Sequence, residues 1–304
     1  MCIRDRGFAF SPDTEQQHIF EDHFSYVETD DQLRCIEEIK HDMMRTAPME
    51  RLLCGDVGFG KTEVALRAAF KCIGDGKQCA ILVPTTVLAW QHYQTVLKRM
   101  EGFDIRVELL SRFRTAKEQK IILKKLEEGE LDLVVGTHRL VQDDVKFKDL
   151  GLVIIDEEQR FGVNDKEKLK EAFTNVDVLT LSATPIPRTL ALILYGDLDI
   201  SVIDELPSER LPIKNCVVGK SYRPKAYDFI ARQCAMGHQA YVICPMVEES
   251  ETLDVTNVTE YVDTMRANLP AGTRIEMLHG QMRAEEKNEI MKRFSEGEID
   301  VLAV

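Results

Sequence analysis

The chain has 304 residues, of which 44% are hydrophobic and 30% are charged. This length is enough for two domains, and the composition is typical of a soluble globular protein. No apolar stretch approaches the roughly 20 residues of a membrane-spanning helix, and no secretory signal is visible, which predicts a cytoplasmic protein with no membrane partner. The formal net charge is −13. Surfaces that bind nucleic acid are normally basic, so any such surface here must be local.

The eight cysteines form no CxxC pair. Several lie within apolar runs, as Cys244 does in AYVICP. This pattern predicts buried, reduced thiols and argues against a structural zinc site.

The first part of the chain alternates short β-rich segments with amphipathic segments. The predicted strands are RLLC (51–54), QCAILVPT (78–85), IRVELL (105–110), LDLVVGT (131–137), LVIIDEE (152–158) and VLTLSAT (178–184). Helical stretches such as EVALRAAFKCI lie between them, and Thr115 with Glu118 forms a capping-box pattern. Strands separated by helices predict a mostly parallel α/β sheet that is covered on both faces. Ligands are then expected at the carboxyl ends of the strands.

Residues 197–213 are acidic, contain two prolines and show no long periodicity, so we expect them to connect two domains. A second alternation follows, with strands at 240–245, 274–280 and 299–304 and helices at 223–236, 256–269 and 283–296. The chain stops directly after an apolar strand, which predicts a truncated second domain. The predicted domains are residues 25–196 and 214–304. A lead-in over residues 1–24 precedes them, and its first six residues, MCIRDR, are expected to be an artefact of sequence assembly.

The strongest chemical signal is the segment GDVGFGKT, which stands between a short apolar strand and a helix. Its glycines let the backbone wrap closely around phosphate oxygens, a lysine can reach the β- and γ-phosphates, and a threonine hydroxyl can ligate Mg²⁺. The alternative is a glycine-rich turn before a helix. The predicted nucleotide-binding residues of this motif are Gly55, Gly58, Phe59, Gly60, Lys61 and Thr62.

A second signal is the segment VIIDEEQ, which places Asp156 and Glu157 at the end of an apolar strand. Buried acids need partners, so clustered carboxylates at this point are hard to explain by packing. Alone, such a cluster is more often a solvated loop. Beside a phosphate-binding loop, we expect Asp156 to hold Mg²⁺ through its water shell and Glu157 to orient and deprotonate the attacking water. Lys61, Asp156 and Glu157 are thus the predicted catalytic residues.

In their order along the chain, GDVGFGKT, PTTVLAWQH, GTHRLV, DEEQRFGV and SATPIPRTL resemble the motifs of superfamily 2 helicases. More narrowly, they resemble the branch that contains RecG and the transcription-repair coupling factor (Mfd), over residues 7–304. The resemblance implies two RecA-like domains, with ATP and Mg²⁺ in the cleft between them and DNA across their tops. It also implies that Gln32 binds the adenine, where a surface helix residue is the alternative, and that Gln159, Ser182 and Thr184 couple the γ-phosphate to the nucleic acid.

The same resemblance implies contacts with the phosphate backbone of DNA, which position a duplex without recognising its sequence. The residues concerned are Pro84, Thr85, Thr86, Arg112, Thr137, His138, Arg139, Gly280 and Gln281. Exposed arginines often have no specific partner, so an ordinary surface role is the alternative for Arg112 and Arg139.

Two parts of the chain resemble different members of the branch. Residues 7–187 resemble the coupling factor, for example in SRFRTAKEQ, and residues 190–304 resemble RecG, for example in QAYVICPMVEESE. We hypothesise a chimera joined at the shared segment SATPIPRTL. A true lineage of mixed character is the alternative.

The resemblance implies an ATP-driven translocase on double-stranded DNA that acts in repair or in the rescue of replication forks. RNA polymerase would be a partner only through modules that this chain lacks. Arginine fingers are expected downstream, so the chain alone is expected to bind ATP–Mg²⁺ and to hydrolyse it very slowly. Two alternatives stay open: an ATP-dependent RNA or single-strand helicase, and a nucleotide-controlled binding module without motor activity.

Overall fold

A computed structural model of the chain describes residues 7–112, 114–157, 175–183, 198–207, 213–244, 258–279 and 282–304. The chain divides into two compact units, Met1–Leu211 and Pro212–Val304. The described residues of both units form α/β structure with parallel strands, which confirms the predicted fold class.

Among the described residues of the first unit, seven strands form one sheet. They are β1 (Glu50–Gly55), β2 (Gln78–Leu82), β3 (Val107–Leu110), β4 (Leu133–Gly136), β5 (Leu150–Asp156), β6 (Asp177–Ser182) and β7 (Asp199–Ile203). Their order across the sheet is β3-β4-β2-β5-β6-β1-β7, and all of these pairings are parallel. Parallel neighbours need crossover connections, which explains why helices separate the strands in sequence.

The α-helices described in this unit are α1 (Glu15–Asp22), α2 (Asp30–Met43), α3 (Lys61–Gly74), α4 (Thr86–Arg99) and α5 (Ala116–Glu128). Four of these five helices, all except α3, begin at a threonine whose side chain caps the helix. Thr115 and Glu118 form the predicted capping box at the start of α5, and Thr29 and Gln32 form a second one at the start of α2. Of the helices described in either unit, none combines the length and the apolar composition that crossing a membrane would require.

The sheet of the first unit is buried on both faces. In β5, Ile154 packs into one apolar cluster, whereas its neighbours Val153 and Ile155 pack into another. β2 behaves in the same way, with Ile81 in the first cluster and Leu82 in the second. Successive side chains of a strand point to opposite faces, so near-continuous apolar strands require cover on both sides. Each fully buried aliphatic side chain contributes about 1.5–3 kcal/mol relative to exposure.

Residues 197–213, which are predicted to connect the two domains, also contribute a strand to the first sheet. Residues 199–203 form β7, the edge strand of the first sheet, and pair with β1 so that Ile203 lies opposite Gly55. Val202 packs against the core of the unit, and Arg51 of β1 donates a 2.8 Å hydrogen bond to the Ser201 hydroxyl. The acidic residues and the two prolines of this segment gave no indication of a strand. Pairing with β1 stabilises this one.

The second unit contains a smaller parallel sheet. Its described strands are β8 (Ala240–Val242), β9 (Ile275–Met277) and β10 (Val301–Ala303), in the order β8-β10-β9, and its described helices are α6 (Arg223–Ala235), α7 (Val258–Asn268) and α8 (Ala284–Ser295). Val301 packs with Met265 of α7, whereas Leu302 packs with Phe294 of α8. Both faces of β10 are therefore covered. Every element that was predicted here is present, although the strands are shorter than predicted.

Candidate active site

The order of the strands brings three sequence motifs to one edge of the first sheet. β6 lies between β1 and β5, and all three strands are parallel, so Gly55, Asp156 and Ser182 stand at neighbouring carboxyl ends. Ligands of open parallel sheets bind at this edge. Gln159 and Thr184, two of the predicted coupling residues, lie outside the described residues.

The loop between β1 and α3 has the backbone conformation of a phosphate-binding loop. Gly58 and Gly60 have φ angles of 83° and 80°, in the left-handed region that favours glycine. A Cβ atom on Gly60 would overlap the side-chain nitrogen of Gln32. Among the described residues, no side chain caps the start of α3, and an uncapped helix N-terminus is a ready site for an anion.

Lys61 is the first residue of α3 and lies close to the acidic residues of β5. Its ammonium donates hydrogen bonds to the carbonyl oxygens of Gly55 (2.6 Å) and Asp56 (2.8 Å). Burial lowers the pKa of Lys61, and the negative charges of Asp156, Asp56 and Glu157 offset part of that shift. Electrostatic coupling to Asp156 and Glu157 means that the cation and the two carboxylates share one site.

Asp156 is held by two donors. Its Oδ1 accepts a hydrogen bond from the Glu157 amide at 2.9 Å, and its Oδ2 lies 2.8 Å from Nε2 of His92 on α4. Glu157 has a φ angle of 56°, which is uncommon for a residue with a side chain and is found at functional sites. His92 was missed in the sequence, where it is only the last residue of PTTVLAWQH. Its contact with Asp156 depends on the tertiary arrangement.

Gln32 lies beside the phosphate loop. Its Nε2 donates a 2.7 Å hydrogen bond to the Phe59 carbonyl, and its Oε1 accepts from the Thr29 amide at 3.0 Å. Only 5% of the residue is exposed, so the alternative of an ordinary surface helix residue was wrong. Gln32 therefore positions the loop that the glycines shape.

A cavity of about 890 Å³ opens next to this loop. The residues that line it include Phe24, Tyr26, Gln32, Gly60, Thr62 and Arg99. The volume lies within the usual range of about 300–1,000 Å³ for small-molecule sites. Phe24 belongs to the predicted lead-in and Tyr26 lies at its border, and neither was predicted to line a site. The only signal was the presence of aromatic residues shortly before TDDQ.

The candidate nucleic-acid residues of the first unit follow three neighbouring strands. Pro84, Thr85 and Thr86 come after β2, Arg112 comes after β3, and Thr137, His138 and Arg139 come after β4. Because β3, β4 and β2 are adjacent and parallel, the structure brings these segments to the edge that also carries the phosphate loop. Arg112 and His138 are exposed there. Gly280 and Gln281 lie outside the described residues.

Two of these side chains form hydrogen bonds within the protein, and a third is buried. The Thr85 hydroxyl caps α4 by accepting a hydrogen bond from the Leu88 amide at 3.2 Å. Arg139 donates two hydrogen bonds of 2.7 Å to the Asp144 carboxylate, which lowers the pKa of Asp144. Thr137 is only 2% exposed, which excludes a contact through its side chain in this conformation. The exposed Arg112 and His138 are thus better placed for a side-chain contact.

Comparison with known proteins agrees with this arrangement. The DEAD/DEAH box helicase family matches residues 29–193, and the helicase conserved C-terminal domain matches residues 225–304. The chain is 52% identical over 300 residues to the transcription-repair-coupling factor of Bacillus subtilis (strain 168) and 46% identical over 296 residues to that of Staphylococcus haemolyticus (strain JCSC1435). These matches cover 98% and 97% of the chain but 24% of each relative. The chain thus spans about a quarter of the length of these relatives.

Solved helicase structures have the same fold. RecG bound to a three-way DNA junction matches with a TM-score of 0.75 and 35% identity, over 98% of this chain and 39% of that one. The DEAD-box helicase Mss116 bound to ssRNA and UDP-BeF matches with a TM-score of 0.68 and 16% identity, over 95% of this chain and 63% of that one. The second match supports the fold alone.

The coupling-factor matches and the RecG match each cover nearly the whole chain, on both sides of the segment SATPIPRTL. A single identity for the whole chain does not separate the two parts, so the junction of two genes stays a prediction. The first family match alone, residues 29–193, covers more than half of the chain. The chain therefore belongs to the DEAD/DEAH box helicases, in the branch of superfamily 2 that contains the transcription-repair coupling factor and RecG.

Proposed function

We propose that the chain is the ATP-hydrolysing motor core of a double-stranded DNA translocase that acts in DNA repair. The observation that carries this proposal is the grouping of Lys61, Asp156 and Glu157 at a glycine loop of left-handed conformation. A cation and two carboxylates beside an uncapped helix start suit a magnesium-bound triphosphate better than any neutral ligand.

The residues present fit ATP and Mg²⁺. A Cβ atom on Gly60 would overlap the Gln32 amide, and Thr62 stands in the first turn of α3. Each oxygen of Asp156 has one hydrogen-bonded neighbour and a second lone pair that remains available. We infer that Lys61 and the amides of the loop hold the β- and γ-phosphates, and that Thr62 and Asp156 hold Mg²⁺. The ion, when bound, neutralises negative charge that builds up on the transferred phosphate.

The protein residues would then have separate roles in hydrolysis. Lys61 would exchange the carbonyls of Gly55 and Asp56 for phosphate oxygens, which are stronger partners for an ammonium. Glu157 would accept a proton from the attacking water. The hydrogen bond between the Glu157 amide and Asp156 keeps the base and the metal ligand in a fixed relation.

The adenine is proposed to occupy the cavity beside Gln32. The two hydrogen bonds of the Gln32 amide leave one N–H and one carbonyl lone pair, which together match the donor and acceptor edge of adenine. Phe24 and Tyr26 supply an apolar wall of that cavity. Gln32 would therefore link recognition of the base to the shape of the phosphate loop.

Double-stranded DNA is the proposed nucleic-acid partner. Its phosphate backbone would lie along the edge formed by the ends of β3, β4 and β2, where Arg112 and His138 are exposed. The similarity to coupling factors and to RecG supports DNA as the partner, and contact with RNA polymerase is proposed only for parts of the longer relatives. Among the described residues, the buried, reduced thiols of Cys35, Cys54, Cys72 and Cys79 support a reducing, cytoplasmic location.

Nucleotide binding by the 304-residue chain tests the proposal, and hydrolysis is measured in a chain extended to the length of the coupling-factor relatives. Lys61→Ala should abolish tight binding of a fluorescent ATP analogue with Mg²⁺. Glu157→Gln should keep that binding and lower the hydrolysis rate of the extended chain on the order of 10²-fold or more. The chain should also bind duplex DNA more tightly than single-stranded RNA of equal length. Unchanged nucleotide binding by a folded Lys61→Ala protein would refute the motor assignment, and a preference for RNA would refute the proposed partner.

A further inference from the structure

His92 reaches the candidate metal ligand Asp156 from a different part of the chain. Its Nε2 lies 2.8 Å from Asp156 Oδ2, although 64 residues separate the two in sequence. The His92 side chain is 10% exposed and that of Asp156 is 15% exposed, so water is largely kept from both groups. A hydrogen bond in such surroundings orients its partners more strongly than one at the surface.

The direction of this hydrogen bond follows from the chemistry of the groups. An ionised carboxylate only accepts hydrogen bonds, so Nε2 of His92 must carry a hydrogen atom and donate the hydrogen bond. This holds for either charge state of the ring. Oδ1 of Asp156 is already held by the Glu157 amide at 2.9 Å. One donor alone would leave the carboxylate free to turn, because the terminal torsion of aspartate is broad, whereas two donors on different oxygens define its plane.

His92 is itself held firmly in place. It lies on α4, three residues after the buried Ala89 and four residues before the buried Val96, so it shares the helix face that packs towards the sheet. The start of α4 is fixed by the Thr85 cap. A donor on a packed helix is suited to positioning a ligand side chain, since its own freedom is small.

We propose that His92 is a positioning residue, which holds the Asp156 carboxylate in the orientation that binds nucleotide-associated Mg²⁺. The inference rests on the proposed function, in which Asp156 is a metal ligand. His92 does not touch the nucleotide in this scheme. It acts through Asp156, as the partners of metal-bound carboxylates do in other proteins.

The test compares nucleotide binding with and without the metal in the 304-residue chain. His92→Leu removes the donor, and His92→Gln keeps an N–H donor at a similar reach. Binding of a fluorescent ATP analogue is measured in EDTA and across a Mg²⁺ titration, and Mn²⁺ binding to the nucleotide complex is followed by electron paramagnetic resonance. We expect His92→Leu to weaken metal binding at least about tenfold, to leave binding in EDTA unchanged, and to be rescued largely by His92→Gln.

Matched controls separate positioning from packing and from failure of the function. Gln94→Leu makes a similar change at an exposed site on the same helix and should alter nothing. The proposal is overturned if His92→Leu weakens nucleotide binding equally with and without Mg²⁺, or if it leaves metal binding unchanged. It is also overturned if His92→Gln does not restore metal binding. If His92→Leu does not fold, His92→Asn, whose amide is too short to reach Asp156, takes its place. Asp156→Asn should remove the Mg²⁺ effect, and if it does not, the metal site of the proposed function fails instead.

Discussion

Nε2 of Gln32 donates a 2.7 Å hydrogen bond to the carbonyl oxygen of Phe59. This contact joins the start of α2 to the middle of the phosphate loop. The same side chain closes the capping box of α2 with Thr29. Gln32 therefore has a structural role before any nucleotide is bound, and a loss of activity on its mutation would not by itself show contact with a base.

Substitutions at Gln32 should separate these roles. Gln32→Glu keeps an oxygen for the Thr29 amide but places a carboxylate against the Phe59 carbonyl. We expect it to lower the free energy of unfolding by about 1–3 kcal/mol, because a buried acceptor loses its donor, and to weaken the binding of both ATP and GTP, with the larger loss for ATP. Urea unfolding and nucleotide titration measure the two effects. If the variant is as stable as the parent and loses only its preference for ATP over GTP, base recognition is the whole role of Gln32.

Gly60→Ala should harm both stability and nucleotide binding. Its φ angle of 80° disfavours a side chain, and the new methyl group would overlap the Gln32 amide. We expect the left-handed conformation alone to lower the free energy of unfolding by about 1–2 kcal/mol. The overlap with the Gln32 amide should lower it further. Gly76 is a matched control, since its φ angle is 74° and nothing lies near its added Cβ. Equal effects of Gly60→Ala and Gly76→Ala on unfolding and on nucleotide affinity would contradict this account.

Asp177 should make the stability of the chain depend on pH. The residue is 2% exposed, its Oδ1 accepts from the Met49 amide at 2.8 Å, and burial raises its pKa to about 7. The folded state therefore binds the proton more tightly than the unfolded state does. The stability that this proton provides is complete below the ordinary pKa of 3.8 and is lost as the pH rises through about 7.

Asp177→Asn should remove that dependence, because an amide stays neutral. We compare the free energy of unfolding of the variant with that of the parent at each pH. We expect this difference to shift in favour of the variant by on the order of 1–2 kcal/mol between pH 5 and pH 8. Urea unfolding across this pH range measures the change, and Asp143→Asn, at an exposed aspartate, serves as the control. A constant difference between parent and Asp177→Asn at all pH values would show that Asp177 does not titrate as proposed.

Release of Arg139 should strengthen the binding of duplex DNA. Asp144 holds its guanidinium by two hydrogen bonds at the proposed DNA edge. Asp144→Asn should raise the affinity at low salt by up to several-fold, since an exposed ion pair contributes about 0–1 kcal/mol. Arg139→Ala should lower the affinity and reduce the salt slope by about one.

The control for this experiment is the ion pair of Lys77 and Asp149, which precede β2 and β5 and so lie at the opposite edge of the sheet. Asp149→Asn should leave DNA binding unchanged at every salt concentration. If Asp144→Asn and Asp149→Asn have the same effect, net charge explains the result and Arg139 is not a DNA contact.

The phosphate-loop residues and the acidic pair could be predicted because their chemistry is local. Glycines with left-handed φ angles, a lysine and a threonine must follow one another within GDVGFGKT for the loop to form. Asp156 and Glu157 are adjacent at the end of an apolar strand. In such segments, neighbours in sequence are neighbours in space, so the order of residue types is enough to indicate the site.

Other parts of the site were beyond prediction because they join distant segments. β7 lies in an acidic segment with two prolines that gave no indication of a strand, and its place beside β1 is decided by pairing and by the contact of Ser201 with Arg51. Phe24 and Tyr26 face a cavity whose other wall belongs to α3 and α4. Thr137 is a loop residue in sequence, yet it is buried in the fold.

The sequence by itself determined the parallel α/β architecture, the phosphate loop and the identity of the acidic residues, since apolar periodicity and short-range motifs encode these directly. Only the tertiary structure decided that His92 meets Asp156 and that Gln32 supports the loop at Phe59. For His92 the physical reason is the strand order, which places β5 beside β2 and so brings α4 next to Asp156. For Gln32 it is the packing of α2 against α3. No pattern along the chain encodes those distances.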